Sequence, residues 1–544
     1  MKLRVSILAG LVFFVAASAG QAQQTPVVPD NVWDALANEI SGDIAFDHLR
    51  QLTLYHSPNG GTDDFRREAE WVAQKARTFG LADVRIIWLK ADSPGWNLRA
   101  GEAWVVSPKE VKLGDVRETP LRVAVASRAV DATAELVHVA AGTSEADFEG
   151  KEVKGKIVLA SGSLDKVQEE AVWKRGALGI MSYGGRRREM QDQLPWFRLP
   201  RESEDKQQQS AFAWVLTPRE GERVKELLEE AEEAVQVRVK IEAEFGEKIQ
   251  GIVEGWIRGT EIPDQQVVLT SHLQEERTSA NDDRSGVASM LEIARALVRL
   301  IDEGKLRRPR RDIRFWWVNE ISAPYQYFAD HPEEAGRMLV NLNQDMVGAK
   351  QSAAQRVQFL SRTPFSRPSF LNDVMESVLE AVRAGNTAWP LTAGTDRGLF
   401  SRPLLSTLGT REPYRAAAVP FYDSTDHLTF NDGRVGVPGI SLTNWPDPYI
   451  HSYDDDLWQI DATQLKRNAF VIAASAHFIA SAGEEDVPAI AALLLGGAQK
   501  RLARDVATAL ALATEGNEGY QDADLLLEAA VARELGAVDS ASVF

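Results

Sequence analysis

Side chains able to hold a metal ion, His272, Asp282, Asp283, Glu320, Asp345 and His451, each follow a stretch that reads as a buried strand. His272 closes the run Val267–Thr270. Asp282 and Asp283 lie between that run and the helix after it. Glu320 follows Ile313–Val318, Asp345 follows Met338–Leu342, and His451 follows Gly439–Leu442 by a short loop. Sites in open α/β sheets gather beyond the carboxyl ends of the strands. Nitrogen and oxygen donors of this kind suit zinc, and a carboxylate shared between two ions suits a two-metal site that activates water. Singly, each residue is ordinary: an aspartate after a strand caps a helix, and a lone histidine makes a hydrogen bond. Their conjunction at one sheet edge carries the inference. The chain has no cysteine, so any metal must be held by His, Asp and Glu.

The elements that must position these residues are legible from residue 246 onward. The helix at Val287–Ile301 places apolar residues at 287, 290, 291, 294, 297 and 301, one face at helical spacing. Strands alternating with helices predict an α/β fold, a mostly parallel sheet with helices on both faces. Earlier in the chain, Phe65–Phe79 reads as a helix and Asp83–Trp88 as a strand. Between about 115 and 245, Gly155–Ala160, Gly176–Met181 and Val235–Glu244 read as strands, with helices at Lys166–Arg175 and Glu220–Ala234. Residues 485–544 are rich in Ala, Leu and Glu and read as a helical tail. The expected organisation is 30–114, a second region at 115–245, a metal-binding part at 246–484, and the tail.

The chain has 544 residues, 44% of them hydrophobic, and a formal net charge of −18. That is length for two or three domains, and the acidity excludes nucleic acid and anionic lipid as ready partners. Lys2 and Arg4 precede an apolar run from Val5 to Ala17, followed by Gly20-Gln21-Ala22. Residues 1–22 therefore read as a secretory signal peptide, which implies export to the periplasm or beyond the cell. No later segment predicts a membrane span.

Ser271-His272-Leu273, Ser279-Ala280-Asn281-Asp282-Asp283-Arg284-Ser285-Gly286, Asn343-Gln344-Asp345-Met346-Val347-Gly348, Asp426-His427 with Gly436-Val437-Pro438-Gly439, and His451-Ser452-Tyr453-Asp454-Asp455 together resemble clan MH zinc exopeptidases. Bacterial leucyl aminopeptidase and vacuolar aminopeptidase Y represent that group. The resemblance spans residues 246–480 in order. It implies a mixed, mainly parallel eight-stranded sheet between helices. It also implies that His272 and Asp345 bind one zinc ion, that Glu320 and His451 bind another, and that Asp282 bridges them, with Asp454 or Asp455 orienting His451. Two positions depart from the family. Gln274 stands where an aspartate usually supports the first histidine. Asn319-Glu320 stands where two adjacent glutamates usually serve as general base and ligand, and Asn319 cannot accept a proton. Glu320, Glu275 and Glu276 are the alternative bases. Residues 115–245 resemble an inserted protease-associated (PA) domain, an α+β module, through Gly155–Ala160 and Lys174–Ile180.

The implied function is a zinc-dependent aminopeptidase acting on peptides. A catalytically impaired peptidase-like binding protein and a glutaminyl-cyclase-like acyltransferase are the alternatives. Asn319 favours the first of these and Asp426-His427 the second. Trp445 and Tyr449, before His451, are candidates for lining a substrate pocket. Trp316 and Trp317 read as core, and His56 as structural.

Overall fold

The computed structural model describes residue 25 and residues 27–544, apart from 59–60, 92–93, 186, 188, 204–205 and 393–401. The signal peptide read at residues 1–22 lies outside the described residues.

In chain order the strands are β1 (Ala82–Lys90), β2 (Gly95–Ser107), β3 (Val111–Asp115), β4 (Val130–His138), β5 (Ile157–Ala160), β6 (Gly179–Ser182), β7 (Ala213–Val215), β8 (Gln236–Gly246), β9 (Ile249–Ile257), β10 (Ile262–His272), β11 (Arg311–Val318), β12 (Met338–Gln344), β13 (Val357–Ser361), β14 (Ala416–Val419) and β15 (Gly439–Trp445). The main sheet has eight strands in the order β1-β9-β11-β10-β12-β15-β13-β14. Its centre, β11-β10-β12-β15, is parallel, as is β13-β14. The pairs β1-β9, β9-β11 and β15-β13 are antiparallel. This is the mixed, mainly parallel sheet the sequence implied. β11 is buried at every residue and β10, β12 and β15 over most of theirs, as expected when helices cover both faces. On one face lie the helices Gly42–Leu52, Arg284–Asp302 and Ala462–Ser481, which share one apolar core with the strands.

Between β1 and β9, which are hydrogen-bonded neighbours, the chain leaves the main sheet and builds a second one. That sheet has seven strands in the order β3-β2-β8-β4-β5-β6-β7. It occupies residues 95–246, so it takes in β2 and β3 as well as the region read from 115. The long antiparallel ladder of β2 with β8 closes the excursion, pairing Gly95 with Gly246. The two strands that leave and re-enter the main sheet are thus zipped together at their base.

The tail forms the helices Val487–Leu512 and Asn517–Ser540. Arg501 fastens it, donating to Asp373 at 2.7 Å and to Glu534 at 2.9 Å. Among the described residues no helix is long and apolar enough to cross a membrane.

The loop after β10 is shaped by a buried cation. Arg284 is fully buried, and its guanidinium donates to the carbonyls of Glu276 (2.8 Å), Thr278 (3.1 Å), Glu275 (3.1 Å) and Tyr55 (3.0 Å). The equally buried Glu68 carboxylate lies 3.3 Å away. Removing such a guanidinium strands several acceptors and one carboxylate at once. Arg284→Leu is expected to lower the unfolding free energy by about 3–5 kcal/mol, measured by urea denaturation. A loss below ~1 kcal/mol, the size of an ordinary surface change, would show that the loop is held by other means.

Candidate metal centre

The segment Asn281-Asp282-Asp283 sits between the end of β10 and the helix Arg284–Asp302. Asp283 is the helix N-cap, with its Oδ1 accepting from the Gly286 amide at 3.1 Å. The helix begins so close to β12 that any side chain at Gly286 would collide with the Asp283 carboxylate and the Gln344 carbonyl. The other Asp283 oxygen accepts from the His272 amide at 3.0 Å. Asp282 is held from behind, because Asp455 accepts from the amides of Asn281 (2.8 Å) and Asp282 (3.0 Å).

Fixed in this way, the Asp282 carboxylate faces two histidines. Its Oδ1 is 3.5 Å from His272 Nε2 and its Oδ2 is 3.6 Å from His451 Nε2. Asp345 Oδ2 lies 3.7 Å from the same His272 nitrogen. His272, Asp282 and Asp345 are all buried, with donor atoms within 4.8 Å of one another. A second group is His272, Glu275 and Glu320, and a third is Glu275, Glu276 and His451.

The structure therefore groups His451 with Glu275 and Glu276, where the family resemblance paired it with Glu320. His451 Nδ1 is 3.2 Å from Glu276 Oε1. Glu320 is drawn to the β10 side by Gln274. The Glu320 amide donates to Gln274 Oε1 at 2.6 Å, and Gln274 Nε2 lies 3.4 Å from both Glu320 Oε2 and His272 Nδ1. Gln274 thus supports His272 from the place of the missing aspartate. Asn319 is buried behind this turn. Its backbone amide donates to the Gly251 carbonyl at 2.9 Å, and its side-chain oxygen meets no partner among the described residues. The second-sphere expectation for His451 also changes. Asp455 supports the Asp282 backbone, and Asp454 receives the Gln193 side chain at 3.4 Å.

The electrostatics are those of an acid cluster built around positive charge. Burial pushes Glu320 up to about 8, with Asp426, Asp345 and Asp282 adding to the effect against His272. Burial likewise raises Glu275 and Asp282, reinforced by Asp282 and Glu276 at the former and by Asp345 at the latter. Burial opposes the charging of His272, yet Glu320, Asp282 and Asp345 outweigh it and hold His272 well above its usual range. Glu276 goes the other way, to about 2: burial would raise it, but His451 outweighs that. Asp345 Oδ1 and Asp426 Oδ2 are buried without a hydrogen-bond partner. Converging carboxylate oxygens that lack donors, beside two imidazoles, fit a divalent cation, which relieves the repulsion that burial amplifies. The donor set is hard and borderline throughout, as zinc and its neighbours require.

Asp426, part of the motif but given no role by it, accepts from the Ile321 amide at 2.7 Å and stands close to Glu320, fully buried. The second sheet also reaches the site. Trp196 donates its amide to the His451 carbonyl at 3.0 Å, Tyr453 donates to the Leu194 carbonyl at 2.9 Å, and Pro195 bridges Ser452. The Trp196 and His451 rings lie 5.5 Å apart, inclined by 32°. Gln193 and Arg187 donate to the carbonyls of Pro448 and Asp447 at 3.1 and 2.9 Å. No local pattern in residues 187–196 signals this. Trp316 and Trp317 are core as expected, and Trp445 is half-exposed beside the site loop. His56 accepts from the Arg277 amide at 3.1 Å, a structural role.

Residues 252–476 match Peptidase family M28, which bears out the resemblance read from the motifs. Among solved structures, the zinc aminopeptidase BSAP from Bacillus subtilis is 18% identical, with coverage of 82% of this chain and 96% of that one at a TM-score of 0.56. The Peptidase M28 precursor from Shewanella amazonensis is 18% identical, covering 83% and 96%, at 0.54. A putative peptidase from Clostridium acetobutylicum is 14% identical, covering 82% of each chain, at 0.54. These similarities establish the fold. No curated protein sequence matches the chain.

Asp282 places one oxygen 3.5 Å from His272 and the other 3.6 Å from His451. Asp282→Ala is expected to lower the divalent metal retained after dialysis to less than half the wild-type content, read by elemental analysis. Full retention would show that the carboxylate is not shared.

Proposed function

With the Peptidase family M28 pattern in residues 252–476 and the fold of the bacterial aminopeptidase structures as premise, we propose that the protein is a zinc-dependent aminopeptidase that removes N-terminal residues from peptides. The observation that carries this reading is the Asp282 carboxylate, poised between His272 and His451 with one oxygen towards each. On this reading His272 and Asp345 would hold one ion and His451 Nε2 another, with Asp282 common to both and Glu276, on His451 Nδ1, orienting the ring. Zinc, when bound, makes water acidic enough to attack at neutral pH and polarises the scissile carbonyl.

The remaining chemistry belongs to the chain. Glu320 takes the proton of the attacking water and delivers it to the leaving amine. Burial raises its proton affinity, which suits a group that takes up a proton. Gln274 fixes the Glu320 turn through the amide contact at 2.6 Å. Asn319 cannot take up a proton; it anchors the end of β11 to Gly251. The residue 95–246 module, which resembles a protease-associated domain, restricts access and braces the His451 loop. The leader read at residues 1–22 directs the activity to the periplasm or the medium. Asn319 also supports a second reading, an impaired peptidase-like protein that binds peptides without turnover.

Hydrolysis of leucine p-nitroanilide by the zinc-loaded protein tests the proposal. Activity is expected to vanish with 1,10-phenanthroline and to return with added zinc. Glu320→Gln is expected to lower kcat by about 10²–10⁴-fold, the usual worth of a general base, with zinc content unchanged. Zinc content that falls in parallel would make Glu320 a ligand instead. A zinc-replete wild type that releases no N-terminal residue from any substrate would leave the impaired reading standing.

A further inference from the structure

The tail helices Val487–Leu512 and Asn517–Ser540 lie beyond residue 476, where the match to Peptidase family M28 ends. They run antiparallel. Gly519 lies against the Leu512 carbonyl beside the link, and further from it Arg501 pairs with Glu534 and Asp505 with Arg533. Leu494 and Ala509 are buried on the packed face of the first helix, and Gly519, Ala530, Glu534 and Ala537 on that of the second. The residue after each of these is large, apolar and exposed: Leu495, Leu510, Tyr520, Val531, Leu535 and Val538 are between 50% and 67% open to solvent. Val506, four residues before Leu510, is exposed as well. One residue is a step of about 100° around a helix, so both apolar stripes are rotated in the same sense from the packed faces. Because the helices are antiparallel, equal rotations about opposed axes bring the two stripes to one side of the hairpin. They form a single outward face.

The size and the charge of this face say what covers it. Its large apolar side chains, each about half exposed, present on the order of 400–600 Å² of apolar surface. Contiguous patches of that extent mark interaction sites. Homodimer interfaces are about 65% apolar and stable ones bury about 800 Å² per partner, so the face has the area a dimer needs. The exposed charges of the first helix are basic, Lys500 and Arg504, whereas those of the second are acidic, Glu518, Asp522, Asp524, Glu528 and Asp539. The other two arginines, Arg501 and Arg533, are already paired with Asp373, Glu534 and Asp505. Two arrangements about a two-fold axis set the face against a copy of itself. One lays each helix on its own counterpart and opposes acid to acid. The other lays the first helix of each copy on the second helix of its partner and opposes base to acid twice.

We propose that the outward face of the tail hairpin docks on the same face of a second copy of this chain, the basic helix of each against the acidic helix of the other. The product is an antiparallel four-helix bundle on a two-fold axis. Apolar positions recurring at spacings of three, four and seven residues are what such bundles pack together. An anionic bilayer, the other surface that takes up apolar helix faces, is repelled by the acidic second helix.

Analytical ultracentrifugation of the purified chain at micromolar concentration tests this, with a dimer expected for the wild type. Val531→Glu/Leu535→Glu, at two exposed positions, is expected to raise the dimer dissociation constant about 30-fold or more, the effect of a central interface residue. Circular dichroism of that variant is expected to show unchanged helix content, so that loss of the dimer is not loss of the fold. Asp524→Lys/Glu528→Lys tests the arrangement. It opposes base to base and is expected to weaken the dimer about tenfold, and Lys500→Glu/Arg504→Glu in the same chain is expected to restore it. A monomeric wild type would overturn the proposal, and its sedimentation with phosphatidylglycerol vesicles would assign the face to lipid instead. A dimer that survives Val531→Glu/Leu535→Glu would also overturn it, because another face would then hold the copies together. A dimer indifferent to the charge reversal would overturn the pairing of the first helix with the second.

Discussion

The Asp283 carboxylate accepts three backbone N–H groups from three elements: His272 at the end of β10 (3.0 Å), Gly286 in the first turn of the following helix (3.1 Å), and Met346 just past β12 (3.1 Å). Each of those elements delivers a metal-capable side chain within a residue or two of the bond. His272 is the bonded residue itself, Asp282 precedes the cap, and Asp345 precedes Met346. One buried side chain thus sets the separations on which the His272, Asp282 and Asp345 group depends. A helix cap is ordinarily worth about 1 kcal/mol. Here the same geometry also defines a site, and it explains why two aspartates are adjacent: one builds and the other faces the histidines.

A site assembled this way carries a charge problem. Glu275, Glu276, Asp282, Glu320, Asp345 and Asp426 converge around His272 and His451. Burial drives Glu320 and Asp426 up to about 8 and about 6. Proteins keep such clusters where a cation supplies the missing charge, and the fold then gains stability from the ion as well as function. The split response of the neighbouring glutamates is informative. Glu276 stays well below the usual carboxylate range because His451 is beside it, whereas Glu275, between Asp282 and Glu276, is forced up. Adjacent residues of one type are thereby given different proton affinities by position alone.

The central strands were legible because they are continuous apolar runs buried on both faces: β10, β11, β12 and β15 were all read, shorter than they are. β9 was not, although it is hydrogen-bonded to both β1 and β11. Its sequence contains Gln250, Glu254 and two glycines, which look foreign to a buried strand. Glu254 is tolerated because Arg314 donates to it at 2.7 Å and Trp316 at 2.8 Å, both from β11. That compensation is long-range and leaves no local trace. The same holds for β14, whose alanines carry little strand signal. At the site, His272, Asp282, Asp345 and His451 were legible from their positions after strands. The grouping of His451 with Glu275 and Glu276 was not, since it depends on how the β10 loop folds around Arg284.

Residues 115–245 were read as a separate insert, and the sheet they belong to runs over residues 95–246, with β2 and β8 paired from Gly95 and Gly246 upward. Its contacts argue for a closer partnership. His451 has a positive φ of 54° and sits on a loop whose carbonyls at Asp447, Pro448 and His451 are bonded by Arg187, Gln193 and Trp196. Left-handed backbone is uncommon for a residue other than glycine and persists where the surroundings over-determine it. The surroundings that do so here come from the insert. The insert therefore supplies part of the rigidity of the candidate site, through Arg187, Gln193 and Trp196.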